Sequence, residues 1–251
     1  MEVKLIDVMG SDIRVVNAAR VSFNKESEWE DGEWTNIRPD IFDDDSTPYR
    51  SDGHKGYYIQ KLSEKDQKLI KYLAKHNHWT PFSHVQITMR ERVPIFVARQ
   101  RFKHTVGFSY NEVSRRYVDD EPSFFVPDVW RRRSENKKQG SSDEVITELV
   151  FKNPVTGQPI EQAYEDLISF CKETYETMIE NRVAPEQARM VLPQAMYTEY
   201  YCTGSLSAWA RAYKLRIDSH AQREIQQLAE QWDTVISGIK ELEHSWRALT
   251  E

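Results

Sequence analysis

The most informative stretch reads PIFVARQRF (Pro94–Phe102) and continues as KHTVGFSYNEVSRRY (Lys103–Tyr117). Between positions 99 and 117 there are five Lys or Arg side chains and a single acid, Glu112, whereas the 251-residue chain has a formal net charge of −6. Hydroxyl and amide side chains are interleaved with these cations. Long cationic groups mixed with short hydrogen-bonding groups suit an anion that also has polar edges, such as a nucleotide.

Secondary-structure signals around this stretch predict a strand that leads into a helix. Apolar and polar residues alternate over Val85–Val93, which is the pattern of a half-buried strand. Pro94 suits the first turn of a helix, where its missing N–H is harmless. The helix is predicted to run to about Lys103, with Arg99 and Lys103 on one face, and Gly107 helps to end it.

The rest of the chain adds further strands and amphipathic helices. Strands are predicted at residues 3–9 and 196–204, and exposed loops at residues 24–56 and 131–147. Helices are predicted at residues 15–23, 62–75, 160–182, 185–192 and 205–217, and one long helix is predicted from a capping box at Ser219–Gln222 to about Trp246. Together these elements predict an α+β fold, a small, mostly antiparallel sheet packed with long helices, in a single domain over residues 1–251.

The two cysteines are interpreted as packed residues. Cys171 lies on a continuous apolar stripe of the helix predicted at residues 160–182, which we expect to face the core, and Cys202 lies in a predicted strand. Neither sits in an electropositive loop of the kind that activates a thiol. Two cysteines are also too few for a disulfide framework.

Composition excludes several classes of protein. Hydrophobic residues make up 39% of the chain and charged residues 29%, and no apolar run approaches the ~20 residues of a membrane helix. The first residues, MEVKLIDVMG, lack the features of a signal peptide. A soluble, cytoplasmic protein is therefore predicted. The acidic net charge disfavours general nucleic-acid binding, and the phosphate loops of P-loop and Rossmann proteins are absent.

No metal site is predicted. Four aspartates at positions 40, 43, 44 and 45 lack the spacing of a calcium loop. Three histidines at positions 76, 78 and 84 have neither a cysteine nor a helical H-x-x-x-H pair beside them.

Three further basic residues, distant in sequence, are candidates for the same site. Arg189 interrupts an apolar segment, so it either reaches the surface along its aliphatic stem or points into a site. Arg216 and His220 are four residues apart at a predicted helix start, where unpaired backbone N–H groups attract anions. His220 can equally be an exposed or capping residue.

Several motifs resemble those of the flavin-dependent thymidylate synthases. PIFVARQ is followed by a basic segment with a histidine and then by S-x-N-E-x-S-x-R-Y, as in that family. The family usually has Arg-His-Arg and two residues before the serine, whereas this chain has Lys103-His104-Thr105 and three residues before Ser109. Three more segments are similar to family motifs: TPFSH (Thr80–His84), ARMVLP (Ala188–Pro193) and LRIDSHAQREIQQ (Leu215–Gln227).

The resemblance implies a role for each matching residue. Arg216 would be catalytic, acting at the uracil edge to favour ionisation of N3. The residues implied to bind deoxyuridine monophosphate (dUMP) are Gln100, Lys103, Glu112, Ser114, Arg115, Arg116, Arg189 and Arg216. The residues implied to bind FAD are Thr80, Lys103, His104, Thr105, Glu112, Ser205, Ser207, Arg211 and His220. Because Thr105 replaces a family arginine, we expect Arg101 or Arg211 to compensate.

The resemblance also implies a reaction and an assembly. The chain would convert dUMP to dTMP with FAD as cofactor, 5,10-methylenetetrahydrofolate as carbon donor and NADPH as reductant. It would act as a homotetramer with active sites shared between subunits. A mechanism that relies on cationic groups rather than on a protein nucleophile agrees with the placement of both cysteines.

Two alternatives remain open from the residues. One is a non-enzymatic nucleotide- or nucleic-acid-binding module that uses the basic residues at 131–138 with the cluster at 99–116. The other is a flavoenzyme with the same scaffold that acts on a different pyrimidine nucleotide, since Lys103 and Thr105 depart from the family pattern.

Overall fold

The structure is a computed structural model that describes residues 1–35, 57–117, 120–134, 141–152 and 155–251. Its strands are β1 (Glu2–Met9), β2 (Glu30–Thr35), β3 (Tyr57–Lys61), β4 (Gln86–Pro94), β5 (Phe108–Glu112), β6 (Arg131–Arg133), β7 (Ser141–Val145), β8 (Glu148–Lys152), β9 (Val155–Pro159) and β10 (Tyr197–Ser205). Its α-helices are α1 (Asp12–Arg20), α2 (Glu64–Lys75), α3 (Ile95–Arg101), α4 (Ile160–Glu180), α5 (Pro185–Ala188), α6 (Leu206–Arg216), α7 (Arg223–Ser237) and α8 (Glu243–Thr250).

A four-stranded antiparallel sheet with the strand order β1-β4-β10-β5 forms the centre of the fold. Alternate residues of β4 and β10 are buried, among them Met89 and its cross-strand partner Cys202. On the opposite face the hydroxyls of Thr88 and Thr203 are 2.9 Å apart. Because side chains alternate along a strand, one face of the sheet packs on helices and the other remains open.

Helices α6 and α7 cover the buried face of the sheet. Trp209 of α6 and Trp232 of α7 are both fully buried, with ring centroids 5.6 Å apart at a steep angle. The Trp209 indole donates a hydrogen bond of 3.2 Å to the carbonyl oxygen of Ile87. The two ends of the chain meet beside this layer, because the Asp12 carboxylate accepts hydrogen bonds from the backbone N–H groups of His244 and Ser245 at the start of α8.

A buried ion pair lies between the sheet and these helices. Arg101, the last residue of α3, and Glu91 of β4 have no exposed side-chain surface, and their nearest charged atoms are 3.3 Å apart. The guanidinium also donates to the Tyr110 hydroxyl and, at 3.0 Å, to the Cys202 sulfur, while the Tyr200 hydroxyl donates to Glu91 at 2.6 Å. Four aromatic rings lie 4.4–5.1 Å from the guanidinium carbon, those of Phe108, Tyr110, Trp209 and Trp232. The charges of the pair are thereby surrounded by hydrogen-bond partners and ring faces in place of water.

Three two-stranded hairpins and α4 lie outside this central unit. The hairpins pair β2 with β3, β6 with β7 and β8 with β9. In the 21 residues of α4 only Ile160 and Tyr175 are buried, while Leu167 is 54% and Phe170 68% exposed. The sequence predicts that the apolar stripe of this helix faces the core. That prediction is wrong for most of the helix, because residues of the same chain do not cover the stripe. Cys171 is accordingly half-buried rather than part of the core.

The predicted fold class and most predicted elements are confirmed. The sheet is antiparallel, and the strands predicted at residues 3–9, 85–93 and 196–204 correspond to β1, β4 and β10. The helices predicted at residues 62–75, 160–182 and 205–217 correspond to α2, α4 and α6. Among the described residues, no helix is both long and apolar enough to cross a membrane.

Four local predictions are wrong. Helix α3 ends at Arg101, so Lys103 does not share a helical face with Arg99. Ser219 does not cap α7, which begins after Gln222. The predicted long C-terminal helix is divided into α7 and α8 after Ser237, where the chain passes through Gly238 and a 3₁₀ turn. Parts of both predicted loops form strands, namely β2, β6 and β7, while the four aspartates at 40–45 lie outside the described residues.

We expect Glu91→Gln to lower the free energy of unfolding by about 3–5 kcal/mol, because it leaves the buried Arg101 guanidinium without a counter-charge. Chemical denaturation measures the change. The double variant Arg101→Met/Glu91→Gln should lose less than the sum of the two single variants. Glu199→Gln is the matched control, because Glu199 pairs with the exposed Arg90 on the open face of the same sheet. Strict additivity of the two core substitutions would contradict this account.

Candidate active site

A cavity of about 470 Å³ opens where β5 ends and β10 begins, beside the 3₁₀ turn that contains Arg189. This volume is in the range of small-ligand sites. Five predicted nucleotide-binding residues line it together: Glu112, Ser114, Arg115, Arg116 and Arg189. The apolar part of its wall comes from Ile95, Val113, Leu192 and Met196.

The three arginines of this cavity are held in different ways. Arg115 pairs with the Asp120 carboxylate at 3.1 Å and also donates to the Asp120 carbonyl oxygen. Arg116 Nε donates to the Ser114 hydroxyl at 3.3 Å, and Arg189 Nε donates to the Glu186 carbonyl oxygen at 3.3 Å. Within the described part of the chain the terminal guanidinium nitrogens of Arg116 and Arg189 make no hydrogen bond, which leaves them available to an anionic ligand.

Glu112 places an acceptor beside these cations. Its carboxylate accepts a hydrogen bond of 2.6 Å from the Thr198 hydroxyl, and Thr198 also lines the cavity. The sequence interpretation missed Thr198. The strand predicted at residues 196–204 places residues 198, 200 and 202 on one side, but no sequence signal indicates that this side meets Glu112.

A second group of predicted residues lies at the other end of α3. Arg216 Nε donates to His104 Nε2 at 2.8 Å, and Arg216 Nη2 donates to the Gln100 carbonyl oxygen at 3.2 Å. The Tyr110 hydroxyl fixes the segment between α3 and β5 by donating to the His104 carbonyl oxygen at 2.7 Å. Gly107 follows in a left-handed conformation, with φ of +81°, and turns the chain into β5.

His104 is a neutral imidazole in this arrangement. Its exposed fraction is 8%, and burial, followed by the nearby charges of Arg216, Arg101 and Arg211, lowers its pKa from 6.5 to about 4. Because Arg216 can only donate, His104 Nε2 must accept, and the ring proton is therefore on Nδ1. The imidazole thus fixes the position of the Arg216 guanidinium.

The structure separates the predicted nucleotide-binding residues into these two groups. The cavity group adjoins the first residue of α3, Ile95, and the last residue of β5, Glu112. The second group, which includes Gln100 and Arg216, adjoins the opposite ends of both elements. A helix of seven residues spans about 10 Å, so the two groups lie about one helix length apart within one chain.

Three of the predicted flavin-binding residues, Ser205, Ser207 and Arg211, lie around the turn at Val106–Gly107, whereas Glu112 lines the cavity at the other end of β5. Ser205 caps α6 and donates its backbone N–H to the Gly107 carbonyl oxygen, and Arg211 donates to the Val106 carbonyl oxygen. The Ser207 hydroxyl lies 2.8 Å from that of Ser83 and 3.1 Å from that of Ser205. The side chains of Thr80, Lys103, Thr105, Arg211 and His220 are exposed.

Arg101 and Arg211 were the two arginines expected to replace the family arginine that is missing at Thr105, and the structure excludes one of them. Arg101 is fully buried with Glu91 and cannot reach a bound cofactor, so the expectation that it compensates is wrong. Arg211 is exposed next to the turn and remains available. His220 is exposed and bonded to the Asp218 carboxylate at 2.8 Å, so it does not cap α7.

We expect the free energy of unfolding to fall by up to ~3 kcal/mol between pH 6.5 and pH 4 on account of His104. The sign follows from its lowered pKa: over this range the unfolded chain binds a proton at His104 that the folded chain excludes. Denaturation at a series of pH values measures the slope. His104→Asn should flatten it, whereas His78→Asn, at an exposed histidine, should not. Parallel pH profiles of the wild type and His104→Asn would contradict this assignment.

Comparison with known proteins identifies the family. The family profile described as "Thymidylate synthase complementing protein" matches residues 4–239. The flavin-dependent thymidylate synthase of Thermosipho melanesiensis is 36% identical over 226 residues, which are 90% of this chain and 81% of that protein. That of Thermus thermophilus is 33% identical over 227 residues, 90% of this chain and 68% of that protein.

A solved structure agrees with this similarity. The UMP/dUMP methylase PolB from Streptomyces cacaoi, bound with 5-Br dUMP, has a TM-score of 0.70 and is 27% identical, and the match covers 99% of this chain and 94% of that one. The sequence and structural matches extend over nearly the whole chain and include every motif on which the resemblance rested. The chain therefore belongs to the thymidylate synthase complementing protein family, the enzymes known as flavin-dependent thymidylate synthases.

Proposed function

We propose that this chain methylates dUMP to dTMP, with FAD as cofactor, 5,10-methylenetetrahydrofolate as carbon donor and NADPH as reductant. The observation that carries the proposal is the cavity of about 470 Å³ lined by Arg115, Arg116 and Arg189 together with Ser114 and Glu112. A cavity with three guanidinium groups and an apolar wall suits a compact ligand with one phosphate and a planar base. Family membership supplies the reaction class.

In this proposal Arg116 and Arg189 hold the phosphate. Both have unpaired terminal nitrogens among the described residues, and a planar guanidinium binds phosphate through two parallel hydrogen bonds. Arg115 is tied to Asp120 and shapes the wall beside them. Glu112 accepts from a hydroxyl or N–H group of the nucleotide, as it accepts from the Thr198 hydroxyl.

Arg216 is the proposed catalytic residue. Its guanidinium is oriented by the neutral His104 and by the Gln100 carbonyl oxygen, which leaves Nη1 free among the described residues. A fixed positive charge at the uracil edge stabilises the anion that forms when N3 loses its proton, and this makes C5 more nucleophilic. A cysteine nucleophile has no support here, because Cys202 is buried and burial raises the pKa of its thiol.

The polar surface around Val106–Gly107 is the proposed flavin site. The Ser205 and Ser207 hydroxyls and the Arg211 guanidinium converge on this turn, and Lys103 and Thr105 precede it. Hydroxyl donors beside exposed cations fit a cofactor with a pyrophosphate. Bound FAD would supply the reducing equivalents for the methyl group, and the protein supplies position and charge. Thr80, His104, Glu112 and His220 are the remaining proposed contacts.

A homotetramer with shared active sites would reunite the two separated groups of residues. The cavity of one subunit could then be completed by Gln100, Lys103 and Arg216 of another. The exposed apolar side chains of α4, such as Leu167 and Phe170, support burial against a partner. We further propose that each subunit is one domain, and its cytoplasmic location stays a prediction.

Uridine monophosphate is the second candidate substrate. The observation that favours it is the similarity to PolB, a UMP/dUMP methylase whose structure has also been determined with 5-Br UMP. The nucleic-acid alternative is less favoured. Arg131 pairs with Glu224 and Arg132 pairs with Glu144, so the described part of that basic segment is largely neutralised.

We expect protein purified without added cofactor to be yellow or to bind FAD, and to form dTMP from dUMP when methylenetetrahydrofolate and NADPH are supplied. Parallel assays with UMP decide between the two substrates. A colourless protein that neither binds FAD nor oxidises NADPH in the presence of either nucleotide would overturn the proposed function. Salt-sensitive binding of DNA or RNA by such a preparation would favour the nucleic-acid alternative.

We expect Arg189→Gln to weaken dUMP binding by about 10- to 100-fold, because one charged hydrogen-bond donor to the phosphate is lost. Calorimetric titration of the FAD-loaded enzyme measures the effect. Arg247→Gln is the matched control, since Arg247 is exposed on α8 and pairs with Glu251 there. Equal affinities for wild type and Arg189→Gln would exclude Arg189 from the nucleotide site.

A further inference from the structure

Four side chains form a continuous chain of hydrogen bonds that ends at Gln100. Arg131 donates to Glu224 Oε1 at 2.5 Å, and Gln222 Nε2 donates to Glu224 Oε2 at 2.8 Å. Gln100 Nε2 in turn donates to Gln222 Oε1 at 2.6 Å. The backbone carbonyl of the same Gln100 accepts from Arg216. This series of hydrogen bonds therefore connects the hairpin β6–β7 and the start of α7 to the group around Arg216.

The chemistry of its two ends fixes the direction of every hydrogen bond in this chain. A guanidinium can only donate and an ionised carboxylate can only accept. Glu224 is 6% exposed, and although burial by itself would raise its pKa, hydrogen bonds from Arg131, its own N–H and Gln222 lower it. Gln222 must therefore donate to Glu224 with its NH₂ group and accept from Gln100 with its side-chain oxygen. Gln100 must then give its NH₂ group to Gln222.

The Gln100 side-chain oxygen is consequently turned away from Gln222. Within the described part of the chain, this oxygen accepts no hydrogen bond. The backbone carbonyl of the same residue accepts from Arg216, so the side-chain oxygen lies within one glutamine side-chain length of the atom that holds this guanidinium. A fixed acceptor at that position selects a ligand with an N–H or O–H group there.

We propose that Glu224 and Gln222 are positioning residues that fix the Gln100 amide with its oxygen toward the nucleotide, where it accepts a hydrogen bond from an N–H or O–H group of the substrate. The inference rests on the proposed function, because it takes the ligand to be a pyrimidine nucleotide. In the binding complex, before N3 loses its proton, the donor is either the imide N–H of the neutral base or a hydroxyl of the sugar. Neither Glu224 nor Gln222 needs to touch the ligand.

Glu224→Gln should reverse the polarity of the whole chain. Arg131 still requires an acceptor, so the amide oxygen introduced at position 224 accepts from Arg131. The NH₂ group of that amide then points to Gln222 and donates to it. Gln222 then accepts with its oxygen and presents its NH₂ group to Gln100, which must turn its own oxygen inward. The substrate donor now meets an NH₂ group, and we expect dUMP binding to the FAD-loaded enzyme to weaken by about tenfold or more.

The double variant Gln222→Glu/Glu224→Gln should restore the original polarity. Gln at 224 donates to the carboxylate at 222, and that carboxylate accepts from the Gln100 NH₂ group, with the net charge of the wild type. We expect its affinity for dUMP to return to within about threefold of the wild type. A merely structural role for Glu224 predicts no such rescue. Glu230→Gln is the control on the same helix, since Glu230 pairs with the exposed Arg223 and should leave binding unchanged.

Two analogues identify the substrate group that donates. If the imide is the donor, Glu224→Gln should lose affinity for dUMP but not for dCMP, whose N3 is an acceptor. If a sugar hydroxyl donates, the loss should disappear for the 2′,3′-dideoxy analogue of dUMP. Melting temperatures of all variants verify folding.

The outcomes separate this proposal from the proposed function. Wild-type holoenzyme that does not bind dUMP overturns the proposed function and this inference with it. Wild-type binding with an unchanged Glu224→Gln variant overturns only the positioning role. A double variant that binds as weakly as Glu224→Gln overturns the polarity argument as well.

Discussion

The buried ion pair between Arg101 and Glu91 fixes how the strands of the central sheet meet helix α3. Two opposite charges without solvent contact are tolerated only if each remaining donor and acceptor is satisfied. That requirement brings together β4, β5, β10 and α3, through Tyr110, Tyr200 and Cys202, under the tryptophans of α6 and α7. Because α3 ends at this arginine, the loop that follows has a fixed starting point.

The buried ion pair helps to position the candidate site, because hydrogen bonds connect Arg101 to His104 and Arg216. The Tyr110 hydroxyl contacts Arg101 on one side and the His104 carbonyl oxygen on the other. His104 is thereby placed where it accepts from Arg216. A substitution of Arg101 would thus reach Arg216 through three hydrogen bonds, although the side chains of the buried pair have no exposed surface.

Opposite ends of the same two elements carry the two groups of candidate functional side chains. Helix α3 and strand β5 run between the cavity that contains Arg189 and the group around Arg216, so the distance between the groups is set by the length of the helix. Helix α4 presents an apolar stripe that its own chain does not cover. Both features have the same physical consequence, namely that one chain by itself leaves surface unburied and a site divided.

Local sequence patterns predict the antiparallel sheet, most of the helices and the residue types of the candidate site. Period-two and period-3.6 patterns report the face of an element that is apolar, and the charge reversal at 99–117 indicates a candidate ligand-binding region. Those patterns could not distinguish a surface covered by the same chain from one left open, and α4 was therefore assigned to the core. They also could not distinguish Arg101 from its neighbours, since a buried guanidinium is recognised only by the partners that surround it.

The polar groups that meet from distant parts of the sequence are known from the folded arrangement alone. Thr198 approaches Glu112, and Gln222 approaches Gln100, because β10 pairs with β5 and α7 packs on α3, and neither contact has a local signal. The direction of each hydrogen bond in a connected series depends on the groups at the end of that series. Arg131 fixes the direction here, and it is more than 90 residues from Glu224 in the sequence. Sequence periodicity records burial, whereas the pairing of donors and acceptors is a property of three-dimensional proximity.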